Sequence, residues 1–205
     1  AEYKASFVKQ NLDEQGEMVS AVVDMKIIDM FTTDFIDSKA EIIRNSEYMI
    51  LDSDRPDIVE YIIKTFSGDT KFILDPVSAA KAKNITHLIK YFHTIKPNRY
   101  EAEIMCGFKI KNDEDLRKAG KYFIDLGIKN VFITLDEDGI YYNNGIEEGK
   151  IKANNVSVVN VTGAGDSFVA GIANGYMNNK NIVETVKYAI SMSTITISTE
   201  ETIHP

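Results

Sequence analysis

The sequence predicts an α/β protein built around a mostly parallel sheet. Short apolar runs rich in β-branched residues alternate with stretches of helical periodicity. Strands separated by helices in this way imply parallel pairing with helices on both faces. The polar segments with chemical potential also fall beyond the carboxyl ends of the predicted strands, where open α/β sheets gather their ligands. In chain order, residues 3–10 and 17–28 form a predicted hairpin around the turn Asp13-Glu14-Gln15-Gly16. Helical patterns at 34–44, 56–66 and 86–91 are interleaved with strands at 47–51, 71–74 and 93–95. An amphipathic helix over 112–126 ends at Gly127, and it leads to a strand at 130–134 and a hairpin through Asn143-Asn144-Gly145. A β-branched run over 156–161 precedes the helical pattern Phe168, Ile172, Tyr176, and a helix over 182–197 follows. The chain divides on this reading into a hairpin segment, 1–28, and an α/β core, 29–205.

Composition narrows the function classes. A 205-residue chain that is 44% hydrophobic, with ten Phe and ten Tyr, can fill the core of one domain. Its net charge of −8 argues against a nucleic-acid binder or a binder of anionic membranes, both of which need a basic stripe. Cys106 is the single cysteine, so no intramolecular disulfide forms and a reducing, cytoplasmic setting is expected. Its surroundings, Ala102-Glu103-Ile104-Met105, read as the apolar side of a short helix rather than a nucleophile's pocket. No signal peptide, bilayer-length apolar run or internal repeat stands out. His87, His93 and His204 lack metal-ligand spacing, which argues against zinc.

The segment Asn160-Val161-Thr162-Gly163-Ala164-Gly165-Asp166-Ser167-Phe168 carries the strongest chemical signal. It joins a β-branched run to a helical one, so the N–H groups of Gly163, Ala164 and Gly165 are expected to head a helix, ready for phosphate oxygens. Asp166 falls in the first turn, where the helix dipole favours its ionised form, and a carboxylate beside an anion site can deprotonate an alcohol. The competing reading is a helix capped by Thr162, with Asp166 only complementing the dipole. The segment is not a P-loop, because no Gly-Lys-Ser/Thr follows, and Phe168 stands where a dinucleotide fingerprint needs its third glycine.

This segment resembles the second signature of the ribokinase-like, or PfkB, sugar kinases. That resemblance implies a three-layer fold with a small β lid at 1–28, Asp166 as catalytic base, and Gly163, Ala164 and Gly165 as the anion hole. Three further matches keep the family order. Asn98 and Glu101 stand at an Asn-x-x-Glu motif that organises phosphate and magnesium, although the same pair reads equally as an N-cap and its capping-box partner. Thr134-Leu135-Asp136-Glu137-Asp138-Gly139 is similar to the family's Thr-Leu-Gly-x-x-Gly turn beside the nucleotide, with Asp136 in place of the first glycine. The helix over 182–197 and the turn Ser198-Thr199-Glu200-Glu201 correspond to the adenine wall and a monovalent-cation site. There Asn160 replaces a common aspartate and Glu201 a common glycine.

The resemblance thus implies transfer of the γ-phosphoryl group of MgATP to a primary hydroxyl of a sugar or nucleoside, without nucleic-acid or membrane partners. Asn98, Thr134, Gly139 and Gly165 are the expected nucleotide contacts, Glu101 the magnesium contact, and a monovalent cation an open question. Leu12 to Met18, followed by Val22-Val23-Asp24-Met25-Lys26-Ile27, looks like the branch that includes pseudouridine kinases, although Asp24 and Met25 read equally as a strand end and a core methionine. The family's first strands and its Gly-Gly-x-x-Asn sugar contacts are expected to lie outside this chain. Its lid hairpin carries unpaired edges that suit a homodimer. Two other classes compete: a non-catalytic nucleotide-binding or dimerisation module, and, third, a nicotinamide-dependent oxidoreductase suggested by Gly163-Ala164-Gly165.

Overall fold

The computed structural model describes residues 7–12, 18–152, 159 and 161–198. Strands β1 (Phe7–Leu12) and β2 (Met18–Asp24) pair antiparallel as a two-stranded sheet of their own, with a register shift at Asn11/Leu12. The predicted turn at 13–16 lies outside the described residues. The second strand of the hairpin is shorter than expected, since Lys26–Met30 coils into a 3-10 turn.

The remainder is organised around a six-stranded sheet in the order β3 (Tyr48–Leu51), β4 (Lys71–Leu74), β5 (Thr94–Ile95), β6 (Asn130–Thr134), β7 (Ile140–Asn143), β8 (Glu148–Ile151). The first four are parallel, and β7 and β8 add antiparallel. Each parallel strand lies directly beside its predecessor, and right-handed crossovers that always advance in one direction put every connecting helix on the same face. That face holds α3 (Pro56–Phe66), α4 (Ala79–Ile85), α5 (Arg99–Cys106) and α6 (Asp113–Asp125). The opposite face would be left bare, and α7 (Ala164–Met177) and α8 (Ile182–Ile197) cover it. Alternation along the strands feeds both layers. Phe72 and Leu74 point into the first core, Ile73 into the second; Val131 and Ile133 join the first, Phe132 the second. All six of these side chains are buried, which is why the strands read as continuous apolar runs. This is the α/β, three-layer architecture that the sequence predicts.

Local chemistry explains where the elements depart from expectation. The helix expected over 34–44 divides into α1 (Thr33–Asp37) and α2 (Ala40–Arg44). At the break the Ser38 hydroxyl donates to the Phe35 carbonyl at 2.6 Å, a local bond that competes with a continuous helix. Helix α4 is not foreseen, because only Ala82 and Ile85 on it are buried and no wide apolar stripe marks it. Its readable signal is the N-cap, Ser78, which accepts from the Lys81 N–H at 3.4 Å. The stretch Thr86–Tyr91 is a 3-10 turn rather than an α-helix, with the adjacent Leu88 and Ile89 both buried. Helix α6 and the β7–β8 hairpin follow their predictions, with Asn112 capping the helix and Gly127 and Gly145 at positive φ of 103° and 81°.

Candidate active site

The carboxyl ends of the parallel strands and the N-terminus of α7 meet at one place. From the end of β4 comes Asp75, and from the end of β5 come Lys96, Pro97 and Asn98, with Glu101 one turn into α5. Lys96 Nζ lies 3.1 Å from Asp75 Oδ2, and both side chains are largely shielded from solvent, at 8% and 14% exposure. Gly165, in the first turn of α7, faces this pair. A Cβ built there would sit 3.1 Å from Lys96 Nζ and 3.9 Å from Asp75 Oδ2. Glycine permits this approach without displacement, whereas a Cβ would require the ammonium to give by a few tenths of an ångström.

Helix α7 starts on Gly163 in the left-handed conformation, φ 83° and ψ −3°, with no side chain capping it. The cap is therefore Gly163 itself, and the reading in which Thr162 caps the helix gives way. Such a turn is nearly free of strain for glycine and costs other residues roughly 1–2 kcal/mol, which accounts for the residue type at this position. Of the three N–H groups proposed for an anion hole, that of Ala164 donates to the Val161 carbonyl at 3.2 Å. Those of Gly163 and Gly165 have no partner among the described residues. Asp166 is exposed on the same turn and makes no hydrogen bond or ion pair with described residues, so its carboxylate is available to a ligand. Ser167 Oγ meets Thr196 Oγ1 of α8 at 2.6 Å, which fixes the start of α7 against its neighbouring helix.

Asn98 and Glu101 form a complete capping box. The Asn98 side chain accepts from the Glu101 N–H at 2.9 Å, and Glu101 Oε2 accepts from the Asn98 N–H at 2.8 Å. Glu101 is 3% exposed, and burial pushes its carboxyl up while the Asn98 N–H and Lys96 draw it down. Oε1 takes no hydrogen bond among the described residues and remains open to a water or a hydrated cation.

Thr134 closes the next strand end, where it bridges to Asn98 and its N–H donates to the Pro97 carbonyl at 3.0 Å. Beyond it Asp136 adopts φ 50°, the left-handed region that a glycine would occupy without strain, and Gly139 has φ 90° with its carbonyl accepting from the Leu135 N–H at 2.8 Å. The Asp136 substitution is thus accommodated by backbone geometry, with the turn retained.

The structure brings together Gly165, Asn98, Glu101 and Thr134 with the Lys96–Asp75 pair. Gly139 stands on the turn after Thr134. Asn160, Glu200 and Glu201, proposed around a monovalent cation, lie outside the described residues, as does most of the run 156–161. Sequence reading gives Asp75 and Lys96 no role, because their pairing is a product of tertiary convergence. Two neighbours also escape it. Asp54 pairs with Lys81, and the Ser53 hydroxyl donates to the Pro76 carbonyl, together lacing the loops after β3 and β4. No three ligating side chains converge on a possible metal among the described residues. None of the helices described is long and apolar enough to cross a membrane.

Comparison with known proteins agrees with this geometry. The chain is 31% identical over 195 residues to pseudouridine kinase of Escherichia coli strain K12, taking in 95% of this chain and 62% of that protein. A crystal structure of a candidate sugar kinase from Clostridium perfringens matches with 63% identity and a TM-score of 0.87, covering 97% of this chain and 63% of the other. Arabidopsis thaliana ribokinase, solved with ribose and ATP, shares the fold at a TM-score of 0.71 and 22% identity, over 80% of this chain and 54% of that one. The chain therefore spans a little under two thirds of the first two. A model of the pfkB family of carbohydrate kinases matches residues 8–205, and with the strand-end motifs in family order the chain belongs to that family.

Proposed function

We propose that the full-length protein transfers the γ-phosphoryl group of MgATP to a primary hydroxyl of a ribose-like sugar or nucleoside, with pseudouridine the first candidate. The observation that supports this most is the join between α7 and the strand ends. A glycine-headed helix N-terminus lies against a buried ammonium, with a carboxylate on the same turn that has no partner among the described residues. A phosphoryl group carries its charge on oxygens, and this arrangement offers it two N–H groups without a partner among the described residues, a helix dipole and a lysine.

Asp166 is free to accept the proton as the acceptor oxygen bonds to phosphorus and the bond to the departing diphosphate breaks. The N–H groups of Gly163 and Gly165 orient the group in flight, and Ala164 contributes when its bond to Val161 is shared. Thr134 and Gly139 line the side on which a nucleotide would lie, and Asn98 anchors the loop between them and α5. Magnesium, when bound, neutralises phosphate charge. Its demands fit the residues present, since it keeps most of its waters and takes one or two carboxylates, here Glu101 through its open oxygen. The 31% identity to pseudouridine kinase favours a C-nucleoside acceptor over a free hexose.

The test is acceptor-dependent ADP release by the full-length protein with pseudouridine, adenosine, ribose, fructose and water, repeated with Asp166→Asn. Turnover on one acceptor, reduced by roughly two to four orders of magnitude in the variant, is the expected result. Saturable MgATP binding without acceptor-stimulated turnover would instead favour a non-catalytic nucleotide-binding module.

A further inference from the structure

The hairpin of β1 and β2 is a sheet of its own, and it joins the core through the 3-10 turn Lys26–Met30. An isolated two-stranded hairpin is marginally stable in water, so where it stands depends on what holds its exit. Arg55 reaches that exit from the core. Its Nη1 donates to the Ile28 carbonyl at 3.0 Å, and the Asp29 carboxylate lies 4.0 Å from the same nitrogen. The Ile28 carbonyl also accepts from the Phe31 N–H at 3.0 Å, so both of its lone pairs are used.

The guanidinium is aimed by the residues around it. Arg55 heads α3, where Pro56 opens the first turn and the Arg55 carbonyl accepts from the Val59 N–H at 2.9 Å. Asp57 takes the other edge of the fork with both oxygens, from Nε at 3.0 Å and from Nη2 at 2.7 Å. A planar fork held on one edge leaves Nη1 pointing in one direction, which a lysine does not reproduce. Holding the helix end is a weak reason for this arrangement, because a partly exposed ion pair contributes little to stability.

The place of Arg55 in the fold points to another reason. It lies in the loop between β3 and α3, at the carboxyl end of the parallel strands, where the candidate site is. Three successive residues of this loop bind three separate segments: Ser53 the Pro76 carbonyl, Asp54 the Lys81 ammonium on α4, and Arg55 the Ile28 carbonyl. The hairpin's exit is thereby connected to the loop after β4. Among the described strands β3 stands at one edge of the sheet, with β4 and β5 between it and β6, whose end bears Thr134 and the turn on the nucleotide side. In-line transfer puts the acceptor on the far side of the phosphoryl group from the nucleotide, which is the β3 side.

We infer that Arg55, oriented by Asp57, is a positioning residue that fixes the hairpin's exit against the loop after β3 and so sets how the hairpin stands beside the acceptor. This rests on the kinase reading above. Arg55 touches no reacting atom and acts through the Ile28 carbonyl.

The experiment is hydrogen exchange of the full-length protein, read at the Ile28 and Phe31 amides, beside KM and kcat for pseudouridine, or whichever nucleoside or sugar is turned over, at saturating MgATP. In Arg55→Met, which keeps the stem and removes the fork, both amides are expected to exchange about tenfold faster, the effect of losing one hydrogen bond from a charged donor, while the β4 and β6 amides keep their protection. The acceptor KM is expected to rise about tenfold with kcat within about twofold of wild type. Arg55→Lys is expected to behave as Arg55→Met, and full rescue by lysine would overturn the role of the fork. Asp57→Asn keeps the arginine and weakens the grip on it, and it is expected to move both readouts in the same direction by a smaller factor; it serves if Arg55→Met does not fold. Unchanged exchange at Ile28 and Phe31 in the folded variant overturns the tie. Faster exchange with an unaltered acceptor KM, or with KM and kcat impaired alike, overturns its link to the site. A wild-type protein without acceptor-dependent turnover overturns the kinase reading instead, and the exchange result still decides the tie.

Discussion

Glu101 closes its capping box through Oε2, which leaves Oε1 without a hydrogen bond among described residues in a side chain that is 3% exposed. The cap and ligand readings of this residue therefore concern different oxygens and do not compete. Glu101→Gln separates them, since an amide oxygen still accepts from the Asn98 N–H while the negative charge is gone. Thermal stability is expected to change by less than about 1 kcal/mol, within the range of cap substitutions. The magnesium concentration needed for half-maximal turnover is expected to rise several-fold. A magnesium titration of turnover, run beside a melting curve, decides it: unchanged magnesium dependence would reduce Glu101 to a cap. At this scale the sequence is informative wherever spacing is local. Asn98 and Glu101, three apart, announce their box, whereas the left-handed turn at Gly163 was not read, since the sequence offered Thr162 as the cap. Lys96 and Asp75 are twenty-odd positions apart and on different strands, so nothing in the chain pattern links them.

Helices α7 and α8 carry the site's anchor, and their contact is set by glycine. A Cβ at Gly171 would lie 2.6 Å from the Ala189 Cα and 3.0 Å from its Cβ, so the two helix backbones touch where that side chain is missing. Gly175 lies one turn on, and a Cβ there would meet the Thr185 side chain at 2.8 Å. Gly171→Ala gains about 1 kcal/mol of helix propensity. Against this stands a clash with backbone, which no rotamer relieves, and overpacking of this kind costs roughly 1–3 kcal/mol. The clash is expected to win, with a net loss of about 1 kcal/mol and a larger fall in turnover as α7 and Asp166 shift together. Gly68→Ala, with nothing within 4 Å of its Cβ, is the control that should leave both unchanged. Denaturant midpoints and turnover of the two variants test this, and equal behaviour would refute the account of the helix contact. Periodicity finds these two helices in the sequence because Phe168, Ile172, Val186 and Ile190 are buried in the apolar layer beneath them. It misses α4, whose inward face is only Ala82 and Ile85, because a helix over a crowded part of the core needs small side chains rather than a broad stripe.

For the whole molecule, one sheet serves as the common wall of two cores. The order of strands and helices was legible because β4 and β6 are buried on both faces and apolar over 72–74 and 131–133, whereas the division of α1 from α2 coincides with a single serine bond and leaves no periodic trace. Phe72 and Ile73 are adjacent on β4 and point to opposite layers, Phe72 towards α3 and its neighbours, Ile73 towards α7 and α8. Truncating either leaves a cavity: roughly 3–5 kcal/mol is expected for Phe72→Ala and roughly 2–5 kcal/mol for Ile73→Ala. If the sheet couples the layers, both variants lower one shared transition. Urea unfolding followed by far-UV circular dichroism should then coincide with loss of amide protection in α7, even for Phe72→Ala, whose cavity lies across the sheet from that helix. The slope of free energy against urea should also match the wild type, because the surface exposed is the same. Were the layers independent, Ile73→Ala would release α7 and α8 in an earlier phase while the α3 side stayed folded. That separation would also loosen the join between Gly165 and Lys96, since one belongs to the α7 layer and the other to the strand ends. A single shared transition would mean that cooperativity across the sheet keeps the proposed anion-binding end of α7 in register with the buried ammonium.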